Sequence, residues 1–408
     1  MTEGIDRSAS PGLRPETFNY WDAALDDDPH PTLHELRRTC PVARSDALGG
    51  YWFVTSYEGV REVFTNPSIF SSRYLTIPPQ TLVLIPESVD PPDHVAYRHL
   101  FAPLFSPAQA KSVEQGTRAT AQEFAIAFAQ NGGGDFVERV AVPLPCTVFL
   151  RMLGLPLADL DRLLVWKDAV MRDMVADDPE RAEHARTVIL PQMMGYFATA
   201  VHERRAMPEP PDDVLTGMLA GRLDFDDARP LTDDEVLNAL LLFVLAGLDT
   251  VTAMLSLTIE TLARRPDLRI QLVEDPSIIP SATEEFLRYW SLATNCRQAN
   301  VDHTLLGAKI KAGDMVAVCT AAASRDPSEF SNPDVIDLRR QDNRHLAFGA
   351  GPHRCLGSHL ARMEMIVALE EIHKAMPHYE LAPNSTPTHH FGGVMGCDSL
   401  ELVVPRGT

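Results

Sequence analysis

Between Thr232 and Pro266 the chain carries a long stretch free of proline whose middle, LLLFVLAGLDTVTAML, is apolar nearly all round. Thr232 is placed to cap a helix, and Glu235, three residues on, completes a capping box. Pro266 marks the stop. The roughly 33 residues from Thr232 to Arg264, at about 1.5 Å each, predict a helix about 50 Å long, the width of a whole domain. A helix apolar on every side belongs inside a core. Its longest apolar run, Ala239 to Leu248, ends at Asp249 and falls short of the roughly 18 residues of a membrane span. Gly247, Asp249 and Thr250 interrupt the apolar middle. A helix-interior glycine costs about 1 kcal/mol against alanine, and a buried aspartate costs more unless it is paired or wet. Taken alone, the three read as a kink with a threonine bonded back to the preceding turn.

The rest of the chain is organised around helices. Prolines gather in loops, at Pro78-Pro79, Pro91-Pro92 and the PEPPDD stretch from Pro208. Strand signals are few: Tyr51–Thr55 after Gly49-Gly50, and a hairpin through Gly307–Cys319 turning at Ala312-Gly313-Asp314. The absence of regular strand–helix alternation argues against a doubly wound sheet. The net charge of −20 argues against nucleic acid or an anionic membrane as the main partner. Six cysteines, with no C-x-x-C pair, and a polar N-terminus without an apolar signal stretch fit a reducing, cytoplasmic setting.

One of those cysteines has an unusual neighbourhood. Phe348-Gly349-Ala350-Gly351-Pro352-His353-Arg354 is a tight loop leading into Cys355, and a helical pattern follows as far as Pro377. A cysteine at a helix N-terminus is placed where backbone N–H groups favour the thiolate, the form a soft metal centre binds. Two other readings fit the loop: a structural cysteine after a glycine turn, and a zinc site using His353, Cys355 and His359 with His345 nearby. Zinc is weakened because structural sites usually carry two or more cysteines.

The loop matches F-x-x-G-x-[HR]-x-C-x-G at every fixed position, and so resembles the haem-binding signature of the cytochrome P450 family. Other segments resemble the family in order along the chain: DPPDHVAYR at Asp90–Arg98, Ala246-Gly247-Leu248-Asp249-Thr250 in the long helix, Glu285-Phe286-Leu287-Arg288, and SRDP at Ser324–Pro327, with Ser where Asn is usual. The resemblance implies a mainly α chain with the cytochrome P450 fold, an α-rich triangular prism with a small β region around buried haem b (iron protoporphyrin IX). It implies one monooxygenase domain over 1–408, with 1–20 as a flexible N-terminal segment, and a monomer.

Roles follow from the matched positions. Cys355 becomes the axial iron ligand, with Phe348, Gly349 and Gly357 shaping its loop. His94, Arg98, Arg297 and His345 resemble ligands of the haem propionates, and arginine suits that task because its planar fork pairs with carboxylates. Asp249 and Thr250 match an acid–alcohol pair that delivers protons, while Ala246 and Gly247 leave an oxygen groove. Glu285, Arg288 and Arg340 form a structural triad.

The implied reaction inserts one atom of O2 into a C–H bond. No flavin or iron–sulfur motif occurs in the chain, so a separate ferredoxin or flavodoxin-type donor is implied, with Arg354 and Arg362 as candidate docking charges. The pocket is expected from Leu82, Val83 and Leu84, from Val244 and Leu245, from Ala293 and Thr294, and from Val394 and Met395. Thr76, Thr81 and Asn295 are its further polar candidates. That lining suits a small, largely apolar substrate such as a terpenoid, steroid-like or aromatic compound. Arg73 keeps fatty acids as the alternative. A peroxide-using peroxygenase is a rival that the acid–alcohol pair disfavours, and a non-catalytic haem sensor or carrier is another.

Overall fold

The computed structural model describes residues 14–80, 82–172, 178–224 and 227–405; Thr81, named above as a polar candidate, lies outside them. The chain is mainly α, with 54% of residues helical, well above the roughly 30–35% of an ordinary globular domain. The expected long helix is present but divided. Helix Asp233–Gly247 carries the capping box of Thr232 and Glu235, and a second helix, Thr250–Arg264, follows after Leu248 and Asp249. Thr250 accounts for part of the break. Its hydroxyl donates to the Ala246 carbonyl at 3.0 Å, the acceptor its own N–H would take in an unbroken ladder. Pro266 opens the next helix, Pro266–Glu274, as a proline at the first helical position should. Asp233–Arg264 is long and apolar enough to cross a membrane, and most of it is buried within the fold.

The Thr250 helix runs through the centre. It packs against helices Pro143–Leu153, Ile279–Trp290 and Ser358–Ala375, and against strand Gly396–Ser399. The Ser358 helix, the one expected after Cys355, lies along Pro107–Gln130.

The β structure is small and lies to the side. Its main sheet has five strands in the order Val42–Ser45, Tyr51–Val54, Met315–Cys319, Thr294–Ala299, Phe70–Ser71. Only the Tyr51–Val54 and Met315–Cys319 pair is parallel. The expected hairpin within 307–319 has its turn, with Asp314 N–H bonded to the Lys311 carbonyl at 3.0 Å, but its two arms do not pair. Ala308–Ile310 pairs with His303–Leu305, while Met315–Cys319 joins the main sheet. Of the segment 1–20, expected to be flexible, residues 14–20 are described. Tyr20 is 1% exposed, accepts from Ile77 N–H and donates to the Ile77 carbonyl, both at 3.2 Å. Residues from Phe18 on belong to the core.

Candidate active site around Cys355

The cysteine loop is wound by its own backbone. Gly349 N–H bonds to the Leu346 carbonyl at 2.9 Å, Arg354 N–H to Gly351 at 3.2 Å, and Cys355 N–H to Phe348 at 2.9 Å. Gly351 has φ +70°, and a Cβ there would run into the backbone carbonyl of Phe64, so no other residue fits. Gly357 is the cap of the Ser358 helix. Of the six cysteines, Cys355 is the exposed one; Cys40 is half-buried and the others are buried. Its thiol is nonetheless pushed up by burial, against the opposing pull of Gly357 N–H, Arg98 and Arg354. Ala246 is likewise exposed, between Leu245, 4% exposed, and the half-buried Gly247.

Basic side chains gather near the loop. His94 comes from helix Asp93–Phe101, Arg297 from the main sheet and His353 from the loop itself. The rings of His94 and His353 lie 4.0 Å apart. Arg98 donates to the Arg354 carbonyl at 2.9 Å, beside them. Glu87 lies against the group, 3.6 Å from Arg297 and 3.9 Å from His353, and Asp90 acts on His94. His94 Nε2 and both ring nitrogens of His353 are buried without a hydrogen-bond partner. Burial, then the neighbouring Arg98, lowers His94 to about 4; burial, then His94, Arg297 and Arg98, lowers His353 to about 2. The buried Arg297, the half-buried Arg98 and three buried imidazole nitrogens without a partner suit a ligand that brings carboxylates of its own. The two propionates of haem meet that requirement, so these residues fit the group.

His345 does not join them. Its Nε2 lies 3.1 Å from Glu284 and its Nδ1 accepts from Ala347 N–H at 3.2 Å. Both nitrogens are committed, so His345 stands apart from the His94 and His353 pair. The expected docking charge Arg362 is likewise committed, donating to both oxygens of Glu284 at 2.6 and 2.9 Å while its guanidinium lies over the Phe348 ring. Arg354 is exposed.

Glu285, Arg288 and Arg340 meet. Arg288 grips both Glu285 oxygens at 2.8 Å, and Arg340 reaches one at 3.0 Å. Glu285 and Arg288 have no solvent exposure. Breaking such a pair would strand a buried charge. Arg288 also donates to the Ser324 and Pro333 carbonyls, and Ser324 Oγ accepts from Leu346 N–H at 3.1 Å. The triad thereby anchors the segment that enters the cysteine loop.

In the helix break, Asp249 is paired. Lys167 Nζ lies 2.7 Å from Asp249 Oδ1 and 2.7 Å from Asp168. Burial opposes the charge on Lys167, and Asp249 and Asp168 outweigh it, raising its pKa. The sequence reading missed Lys167; its one signal is a lysine inside the apolar stretch LLVWKDAVM. At Gly247 a Cβ would meet the Phe149 ring at 2.5 Å, so glycine lets that ring pack close to the helix, and the neighbouring Ala246 is exposed.

The expected pocket residues divide. Val244, Leu245, Leu84, Thr294 and Met395 are buried in the fold, whereas Leu82, Ala293 and Val394 are partly exposed and Val83 is 51% exposed. Ala293 and Val394 form a β-bridge, and Thr294 N–H bonds to the Gly393 carbonyl at 3.0 Å, tying those two segments together. Thr76 is spent locally, its hydroxyl donating to the Pro78 carbonyl at 2.8 Å. Asn295 is half-buried on its strand, and Arg73 is exposed, lying over the Tyr74 ring.

Known proteins resemble this chain along nearly its whole length. The family model for Cytochrome P450 matches residues 178–388. A mycinamicin IV hydroxylase/epoxidase from Micromonospora griseorubida is 34% identical over 91% of this chain and 94% of its own. A vitamin D(3) 25-hydroxylase from Pseudonocardia autotrophica is 32% identical over 90% and 91%. The crystal structure of CYP109E1 from Bacillus megaterium in complex with testosterone superposes with TM-score 0.84 at 29% identity, covering 93% of this chain and 98% of that one.

Proposed function

The chain belongs to the cytochrome P450 family, and from that premise we propose that Cys355 is the thiolate ligand of its haem b and that its substrate is an uncharged, largely apolar, terpenoid or steroid-like molecule. As a haem-thiolate monooxygenase it hydroxylates or epoxidises its substrate with O2 and electrons from redox partners. Bound haem supplies the thiolate-ligated iron at which O2 is split. Everything else is the work of side chains. Cys355 holds the iron; Arg98, Arg297, His94 and His353 hold the propionates; Asp249 and Thr250 deliver protons at the helix break, with Lys167 holding the Asp249 carboxylate.

The observation that carries the ligand assignment is the exposure of Cys355 alone among six cysteines, in a loop flanked by unpartnered basic groups. The substrate class rests on the apolar character of the partly exposed Leu82, Ala246, Ala293 and Val394, since such pockets bind mainly by apolar burial. The names of two relatives and neighbours, vitamin D(3) and testosterone, agree with it. The electron donor is a ferredoxin, approaching the exposed Arg354, because a local positive charge on a chain of net charge −20 favours an acidic partner.

A spin-state titration of the ferric protein tests the substrate class. Steroids and terpenoids are expected to give the tight low- to high-spin shift, and matched fatty acids or benzoates none. A tight shift confined to the anions overturns the assignment.

A further inference from the structure

A second cluster of ligand-bearing side chains lies where the Thr250–Arg264 helix meets the hairpin of strands Thr388–His390 and Gly396–Ser399. Glu260, His389 and Cys397 each offer one ligand atom there, and the three atoms lie within 4.8 Å of one another. Glu260 Oε2 is 2.7 Å from His389 Nε2, and Glu260 Oε1 accepts from Arg264 Nε at 2.9 Å. Cys397 is 4% exposed, with its thiol directed to the Ser399 carbonyl at 3.4 Å.

An ion pair between Glu260 and His389 explains only part of this. It does not account for the thiol beside the pair. Nor does it account for the cavity of about 270 Å³ onto which Glu260 and His389 open, with Asp26, Asp27 and Asp28 on its wall. A thiol, an imidazole and a carboxylate together form the donor set of a borderline-soft divalent cation.

We propose that Glu260, His389 and Cys397 bind one zinc ion, whose fourth position opens to that cavity. Tetrahedral zinc with bonds of about 2.0–2.3 Å sets neighbouring donors about 3.3–3.6 Å apart. The cluster reaches that spacing when the Glu260–His389 contact opens slightly and the thiol draws in. Charge also balances. Zinc with one carboxylate, one thiolate and one neutral imidazole is electrically neutral, which suits a buried site. Burial, with Glu260, Asp398 and Asp135 acting in the same direction, holds the Cys397 thiol protonated, so zinc must displace that proton to solvent as the Zn–S bond forms. Occupied, the site pins the hairpin, whose connecting turn carries Val394 and Met395, to the central helix.

The test uses metal-stripped holoenzyme dialysed against zinc chloride. One zinc per chain is expected, with a zinc-edge X-ray absorption spectrum showing one sulfur at about 2.3 Å among nitrogen and oxygen neighbours. Cys397→Ser should remove the sulfur, and His389→Gln should weaken retention by more than about tenfold. Both should keep the wild-type spectrum of the reduced carbon monoxide complex, which reports on the haem pocket alone. A wild-type zinc spectrum without sulfur, no retained zinc, or retention equal in the wild type and both variants overturns the proposal. The wild-type spectrum decides even where a variant fails to fold.

Discussion

Two histidines eight residues apart, His345 and His353, show how much a residue's task depends on what its ring nitrogens meet. His345 is saturated by Glu284 and Ala347, and its loss would loosen Glu284 and Arg362. His353 has no hydrogen-bond partner on either nitrogen and lies against His94, ring centroids 4.0 Å apart. The signature sets His353, and not His345, at its basic position two residues before Cys355; only the fold shows that Glu284 occupies the other. The expected outcome follows. His353→Ala should speed haem transfer to apomyoglobin, because a buried propionate loses a neighbour, and His345→Ala should leave that rate near wild type. Cys355→His should retain haem but lose the red-shifted Soret band of the reduced carbon monoxide complex. If that band persists, another cysteine ligates the iron.

The elements were legible where local chemistry decides them, and less so where tertiary contacts do. The capping box at Thr232 and Glu235, the stop at Pro266 and the helix after Cys355 all stand in the structure as read from the sequence. The division of the long helix is signalled by Gly247, Asp249 and Thr250, whereas the Phe149 ring packed beside Gly247 comes from another helix and has no signal in spacing. The hairpin across Ala312-Gly313-Asp314 failed for a related reason, since its turn is local while strand pairing is settled by the neighbours on each side. Lys167, 82 residues from Asp249, could not be matched to it by any periodicity. At this break Thr250→Ala is expected to bind substrate normally while diverting NAD(P)H electrons into hydrogen peroxide. Asp249→Asn should slow turnover with the haem spectrum intact, because the remaining amide cannot carry a proton as the carboxylate does. Measured coupling and rate unchanged in both variants would remove them from proton delivery.

For the molecule as a whole, the balance of buried charge sets how stability follows pH. The half-buried Glu284 is paired: His345 and Arg362 outweigh its burial and lower it to about 2, so it contributes stability at neutral pH that is lost as pH falls from about 4.5 toward 2. Glu364, on the Ser358 helix, is the opposite case. It is 3% exposed, its Oε1 has no hydrogen-bond partner, and burial raises it from 4.5 to about 8. Between those two values the folded protein keeps the proton that the unfolded chain has released. The folded state binds more protons there, so stability falls as pH rises through the window, by about 1.4 kcal/mol per pH unit from this group. Below 4.5 both states are protonated and above 8 both are ionised, and the slope vanishes. Glu364→Gln removes the titration. The buried amide brings its own constant penalty for any unmade hydrogen bond, so the informative quantity is the slope and not the offset. Urea denaturation of wild type and Glu364→Gln from pH 5 to 9 should show the variant gaining on wild type with each unit of pH and levelling off near pH 8. A difference that stays constant across that range would mean that Glu364 is already ionised in the folded protein.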